Sequence, residues 1–182
     1  MLAARGLRAT FFVVGEQLRA HRALAERAHA EGHWIGNHTL THPRPLGEIG
    51  QGASEEIEAT QAELGALAHP DRLFRPSGAG GAIEPGLLSR AAVDALVAGG
   101  YTCVLWNAVP GDWTDAGWVE RALEQIAARE WTLLVLHDVA GACAERLDEF
   151  LDRVDADFRQ DFPPGCVPIT RGEITGSLAE LV

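Results

Sequence analysis

Six short runs of aliphatic, β-branched or aromatic residues alternate along this chain with stretches whose apolar residues recur three and four apart. That rhythm narrows the fold more than any other feature. The runs are Ala9 to Val14, Trp34 to Gly36, Leu73 to Arg75, Tyr101 to Trp106, Thr132 to Leu136 and Val167 to Ile169. The clearest helical stripe is Leu147, Phe150, Leu151, Val154 and Phe158, at offsets of 3, 4, 7 and 11 from the first. Glu16 to Ala30 closes near Gly32, Ser54 to Ala68 opens on a residue suited to capping, and Leu87 to Ala98 stops at Gly99-Gly100. Asp115 is placed to cap a helix running through Ala128. Strand-then-helix units predict a parallel sheet with right-handed crossovers, either open and doubly wound or closed into a barrel. No linker, repeat or low-complexity segment divides residues 1 to 182, so a single domain is expected.

Composition removes several functions. A net charge of -11 and scattered arginines disfavour a nucleic-acid surface, which needs a clustered basic face. The chain holds no lysine, so Schiff-base and lysine-base chemistry is excluded. Cys103, Cys143 and Cys166 are odd in number and widely spaced, which predicts buried free thiols rather than a disulfide scaffold. No apolar run approaches the ~18 residues of a membrane span, and Met1 to Gly6 carries no export signal, so no membrane partner and a cytoplasmic location are expected of the chain as given.

The polar residues suited to chemistry follow the ends of predicted strands: His38 after the Trp34 run, Arg75 after Leu73, Asp112 after Tyr101, and His137 after Leu133 to Leu136. Parallel α/β folds gather such ends on one face. His38 and His42 lie four apart in Gly36-Asn37-His38-Thr39-Leu40-Thr41-His42-Pro43, and two imidazoles so spaced converge on one cation if the segment turns helically. Surface histidines in a loop are the plainer reading of such a pair taken alone. The remaining histidines, His21, His29, His33 and His69, fall on helices or their ends and are expected to be solvated. Gly78 to Gly81 lacks the spacing of a phosphate-binding loop.

Four segments, in order, resemble the motifs of the polysaccharide deacetylase family, the NodB-homology carbohydrate esterases. Ala9 to Gly15 followed by Glu31 to Pro43 is similar to the family's second strand and its H[ST]xxH metal motif. Phe74-Arg75-Pro76 resembles the start of RPPxG, Asp112-Trp113 the end of DxxDW, and Leu134 to Asp138 the LxLHD motif. The resemblance implies a distorted (β/α) barrel and hydrolysis of an N-acetyl group on a carbohydrate with a divalent metal, usually zinc. Carried over, His38 and His42 are metal ligands, Thr39 braces their loop, and His137 is the acid that protonates the departing amine. Asp112 would accept a hydrogen bond from His137, while Arg75 would orient a catalytic carboxylate. Trp113, Leu136 and Pro76 would line the substrate, the first two as a wall for the acetyl methyl.

The chain departs from the family in three places. After Arg75-Pro76 it reads Ser77-Gly78-Ala79-Gly80, which misplaces the residue whose amide would hold an oxyanion, and Val109 stands where the first Asp of DxxDW belongs. The family's opening TFDDG, which supplies a base and a third metal ligand, has no counterpart, since the sequence contains no Asp-Asp pair. The expectation is therefore a barrel missing its first strand, as in an N-terminally shortened deacetylase, with exposed sheet edges open to self-association. A lost N-terminus would leave room for an extracytoplasmic location. Two alternatives stand beside the deacetylase: an inactive carbohydrate-binding or structural homologue, and a hydrolase of small non-sugar amides.

Overall fold

The computed structural model describes residues 1–78 and 80–182. Ala79, which falls in the stretch aligned with the oxyanion motif, lies outside the described residues. Thr10–Val13 (β1) and Trp34–Asn37 (β2) run parallel, with Thr10 opposite Trp34 and Val13 opposite Asn37. Leu73–Phe74 (β3) and Thr102–Cys103 (β4) continue the parallel order through Asn37 opposite Phe74 and Phe74 opposite Cys103. Parallel neighbours need long crossovers. Gly15–Ala30 (α1), Ala53–Leu64 (α2) and Arg90–Ala98 (α3) supply them. Trp118–Ala127 (α4) and Leu147–Arg153 (α5) pack together beyond β4. Among the described residues the sheet holds six strands in sequence order. Among the described residues, no helix is long and apolar enough to cross a membrane.

Alternation along the strands sorts side chains to two faces. Ile35, with Phe11 and Val13 beside it, packs under α1 and α2 with Leu18 and Leu64. Phe12 points the other way, over Gly36, where an added β-carbon would lie 2.7 Å from the phenyl ring. A second cluster gathers Phe74, Tyr101, Leu96, Ile57 and Ile169. The third, Trp118, Val119 and Phe150, joins α4 to α5. Cys103, Cys143 and Cys166 are buried free thiols, as expected.

Several elements differ from the expectation. The run at Val167 to Ile169 is no parallel strand. Ile169–Thr170 (β5) pairs antiparallel with β4, and then with Glu173–Ile174 (β6) as a hairpin, because Arg171 and Gly172, both at positive φ, reverse the chain between them. The run at Thr132 to Leu136 makes a single parallel bridge, Leu134 with Ala108. Beside it the Asn107 side chain takes over ladder bonds, accepting the Leu133 amide at 2.8 Å and donating to the Trp131 carbonyl at 3.0 Å. Ser54 does not cap α2, since its hydroxyl donates to the Gln51 carbonyl. Instead Ser89 caps α3 by accepting the Ala92 amide at 3.2 Å, which leaves Leu87 and Leu88 before the helix as core. Asp115 accepts the Gly117 amide at 2.7 Å, just ahead of α4. α5 ends at Arg153: Val154 is extended and still packs on the Trp118 cluster, while Phe158 is exposed. His33 is not solvated but buried, its Nδ1 accepting the Ala9 amide at 3.0 Å. The preceding Gly32, at φ 88, folds the chain back to place it there.

The start of α1 supports the loop after β2. The Gly15 and Glu16 amides donate to the carbonyls of Thr39 and Leu40 at 2.9 and 3.0 Å. A β-carbon on Gly15 would lie 2.6 Å from Thr60 Oγ1, 2.9 Å from Leu40 Cδ1 and 3.3 Å from Leu40 Cα. Gly15→Ala gains helix propensity of at most ~1 kcal/mol, but overpacking at this contact costs about 1–3 kcal/mol. A lowered melting temperature in a thermal scan, by a few degrees, is expected; an unchanged or raised value would show that the loop yields freely.

Candidate active site

β2 ends at Asn37, whose buried carboxamide builds the next turn. Its Oδ1 accepts the Thr39 amide at 3.0 Å, and its Nδ2 donates to the Ile57 carbonyl at 2.7 Å. Thr39 and His42 both adopt positive φ, at 66° and 61°. The Thr39 hydroxyl accepts the His42 amide at 3.2 Å and donates to the His38 carbonyl. Glu56 of α2 accepts the Leu40 amide, the Thr41 amide and the Thr41 hydroxyl, each at 2.8 Å. A tight loop, rather than the helical turn anticipated from the spacing, therefore brings the His38 and His42 rings together, with centroids 4.8 Å apart and planes at 79°.

Hydrogen bonding sets the ring nitrogens. His38 Nδ1 lies 2.8 Å from the Arg75 carbonyl. A carbonyl only accepts, so Nδ1 carries the proton and Nε2 keeps its lone pair. Burial pushes the His38 pKa down to about 3, which keeps the ring neutral. His42 is also lowered, first by burial and then by the Arg44 charge. Arg44 Nε donates to His42 Nδ1 at 3.3 Å, which in a neutral ring leaves the proton on Nε2.

A hydrolytic zinc site takes three protein ligands and keeps one position for water. The donors here fit in part. His38 offers a free Nε2 oriented from behind, the arrangement that metal ligands favour. His42 would have to give up the Arg44 contact to present its own Nε2. Among the described residues, no group of three His, Cys, Asp or Glu side chains comes close enough to hold an ion.

Across the site, Asp112 is fully buried and grips His137 twice: Oδ2 accepts the backbone amide at 2.7 Å and Oδ1 accepts the ring Nδ1–H at 2.9 Å. His137 Nε2 is left free for other work. The Trp113 indole stands edge-on to the ring, centroids 4.5 Å apart, and is 40% exposed. Among the smaller influences that lower the His38 and His42 pKa values is the charge of His137. Leu136 packs on the Trp118 cluster, and Pro76 is buried.

Arg75 is buried with its guanidinium 4.2 Å above the Phe12 ring. Nε donates to the Val104 carbonyl at 3.2 Å and Nη2 to that of Leu105 at 3.1 Å. Burial lowers its pKa to about 10. Arg44, Asn37 and Glu56 were not anticipated as site residues. In the sequence Glu56 is one acid near the start of a helix, and nothing local tells that it reaches the loop.

Residues 1–102 match the family model described as polysaccharide deacetylase. A chitooligosaccharide deacetylase of Rhizobium leguminosarum bv. trifolii is 32% identical over 140 residues, covering 76% of this chain and 62% of the relative. The enzyme of the same name from Sinorhizobium fredii is 31% identical over 163 residues, 87% of this chain and 69% of the relative. A solved family 4 carbohydrate esterase from Streptomyces lividans, in complex with acetate, superposes with a TM-score of 0.65 at 26% identity, over 83% of this chain and 77% of that one. Sheet order, strand-end site and sequence together make this a NodB-type α/β domain. The chain belongs to the polysaccharide deacetylase family, and it spans 62% of the length of the first of these relatives.

Arg44 provides a test of the imidazole pair. Its charge repels a cation, and its hydrogen bond favours the wrong His42 tautomer, so Arg44→Gln is expected to tighten zinc binding about two- to fivefold, the scale of an exposed charge contact. Calorimetric titration of metal-stripped protein reads this directly, with His38→Ala expected to abolish binding. Weaker binding by Arg44→Gln would contradict the assignment.

Proposed function

We propose that this chain hydrolyses the N-acetyl amide of an N-acetylated saccharide of the chitooligosaccharide or peptidoglycan kind, with a divalent metal, zinc before others, on His38 and His42. The observation that carries this is the pairing of the His38 and His42 rings, with centroids 4.8 Å apart, beside a His137 ring aligned by the buried Asp112 carboxylate. The metal, when bound, would supply Lewis-acid polarisation of the amide carbonyl. His137 holds a proton at Nε2 for the departing amine nitrogen, while Asp112 fixes the ring through Nδ1. Trp113 stands beside His137 as an apolar edge for the acetyl methyl. The names of the relatives support the substrate class.

A second reading is a saccharide-binding domain without turnover. Acetate release from N-acetylglucosamine oligomers, with zinc added, separates the two. Release is expected from the unmodified chain, with His137→Ala lowering kcat by about 10²- to 10⁴-fold, the contribution of a positioned acid, while zinc binding persists. Full activity in His137→Ala would overturn its role. Saccharide binding with no acetate from any form would favour the second reading.

A further inference from the structure

We infer that a cavity at the starts of β2, β3 and β4 binds one neutral saccharide ring, apart from the catalytic face. Its volume is about 310 Å³, at the small end of the roughly 300–1,000 Å³ of ligand sites. Trp34 opens β2, Leu73 opens β3 and Thr102 opens β4, and all three line it. His38 and Arg75 follow the opposite ends of β2 and β3. The four residues from Trp34 to His38 cover about 13 Å of strand, so one ring does not reach both places.

The lining sets the chemistry of the ligand. Trp34 and Phe162, with ring centroids 5.9 Å apart, join Leu73 and Val167 as an apolar surface for the C–H faces of a sugar. His69 and Asp71 add polar groups of both kinds. His69 Nδ1 accepts the Asp71 amide at 3.2 Å and burial lowers the ring's pKa, so the neutral imidazole keeps Nε2–H as a donor. Asp71 Oδ1 accepts from Arg171 Nε at 2.7 Å, and among the described residues Oδ2 keeps its lone pairs as an acceptor. Hydroxyl groups both donate and accept, so they satisfy such a pair. Asp71 is paired with Arg171, and Asp161, which also lines the cavity, with Arg159, so no unbalanced charge calls for an ion. A ring held there would keep a saccharide polymer against the domain, and the inference does not rest on the proposed hydrolysis.

The test titrates N-acetylglucosamine into metal-stripped protein and follows the sugar by saturation-transfer NMR, so that neither zinc nor turnover enters. Saturable binding with a dissociation constant of about 1–10 mM is expected, and Trp113→Ala, on the catalytic face, should keep it. Thr170, exposed on β5 where it lines the cavity, is replaced by Phe, which suits a strand and fills the space. Thr170→Phe should weaken binding at least about tenfold. Asp71→Ala, which trims a partly exposed side chain, should weaken it too and keeps the test open if Thr170→Phe fails to fold. Tetramethylammonium and acetate, probes for a cation or an anion site, should show no saturable transfer that Thr170→Phe removes. Binding that survives both cavity variants, binding lost in Trp113→Ala, capture of either ion in the cavity, or no saturable binding of the sugar would each overturn the inference.

Discussion

The hydrogen bond from the His38 ring to the Arg75 carbonyl holds the site together, and much of the rest follows from it. It crosses from the end of β2 to the end of β3. It forms because those strands are parallel neighbours, with Asn37 opposite Phe74 and the Arg75 amide donating to the Asn37 carbonyl at 2.9 Å. A register slip of one residue would turn His38 toward the opposite face and break the contact. The same bond sets the tautomer that leaves Nε2 available. Fold and chemistry are thus joined at one carbonyl.

Around that bond the site is rich in hydrogen-bond donors and poor in free negative charge. The two carboxylates that enter it are already engaged: Asp112 on His137, and Glu56 on the amides of the His38 loop. Arg75 brings a positive charge that lies over the Phe12 ring and, among the described residues, donates to the carbonyls of Val104 and Leu105. The net charge of -11 on the whole chain therefore says little about this face.

Much of this was legible in the sequence, for identifiable reasons. Short aliphatic, β-branched and aromatic runs located β1 and β2, and period-3.6 stretches the crossover helices α1 to α3. The placement of His38, Arg75, Asp112 and His137 after strand ends led to the expectation of a shared face, and the structure joins them in two pairs, His38 with the Arg75 carbonyl and His137 with Asp112. Other features depend on contacts between distant residues and leave no local trace. Asn107 reaching Leu133 erased an expected strand, and Arg171-Gly172 turned a supposed parallel strand into a hairpin. His33 sits after a helix as a solvated residue would, yet long-range packing buries it against β1. His38 and His42 come together without a helical turn, since Asn37, Thr39 and Glu56 acting together make a tight loop. Arg44, two residues past His42, was visible but unremarkable until its direction was known.

X-ray absorption at the zinc edge of the zinc-loaded protein tests the central claim most directly, because it reads the ligands without requiring turnover. The account predicts two imidazole scatterers near 2.0–2.1 Å, as neutral histidines give, with light oxygen or nitrogen atoms completing the shell. One imidazole fewer is expected after His38→Ala. Sulfur near 2.3 Å, or a spectrum without imidazole, would place zinc elsewhere and contradict the site described here.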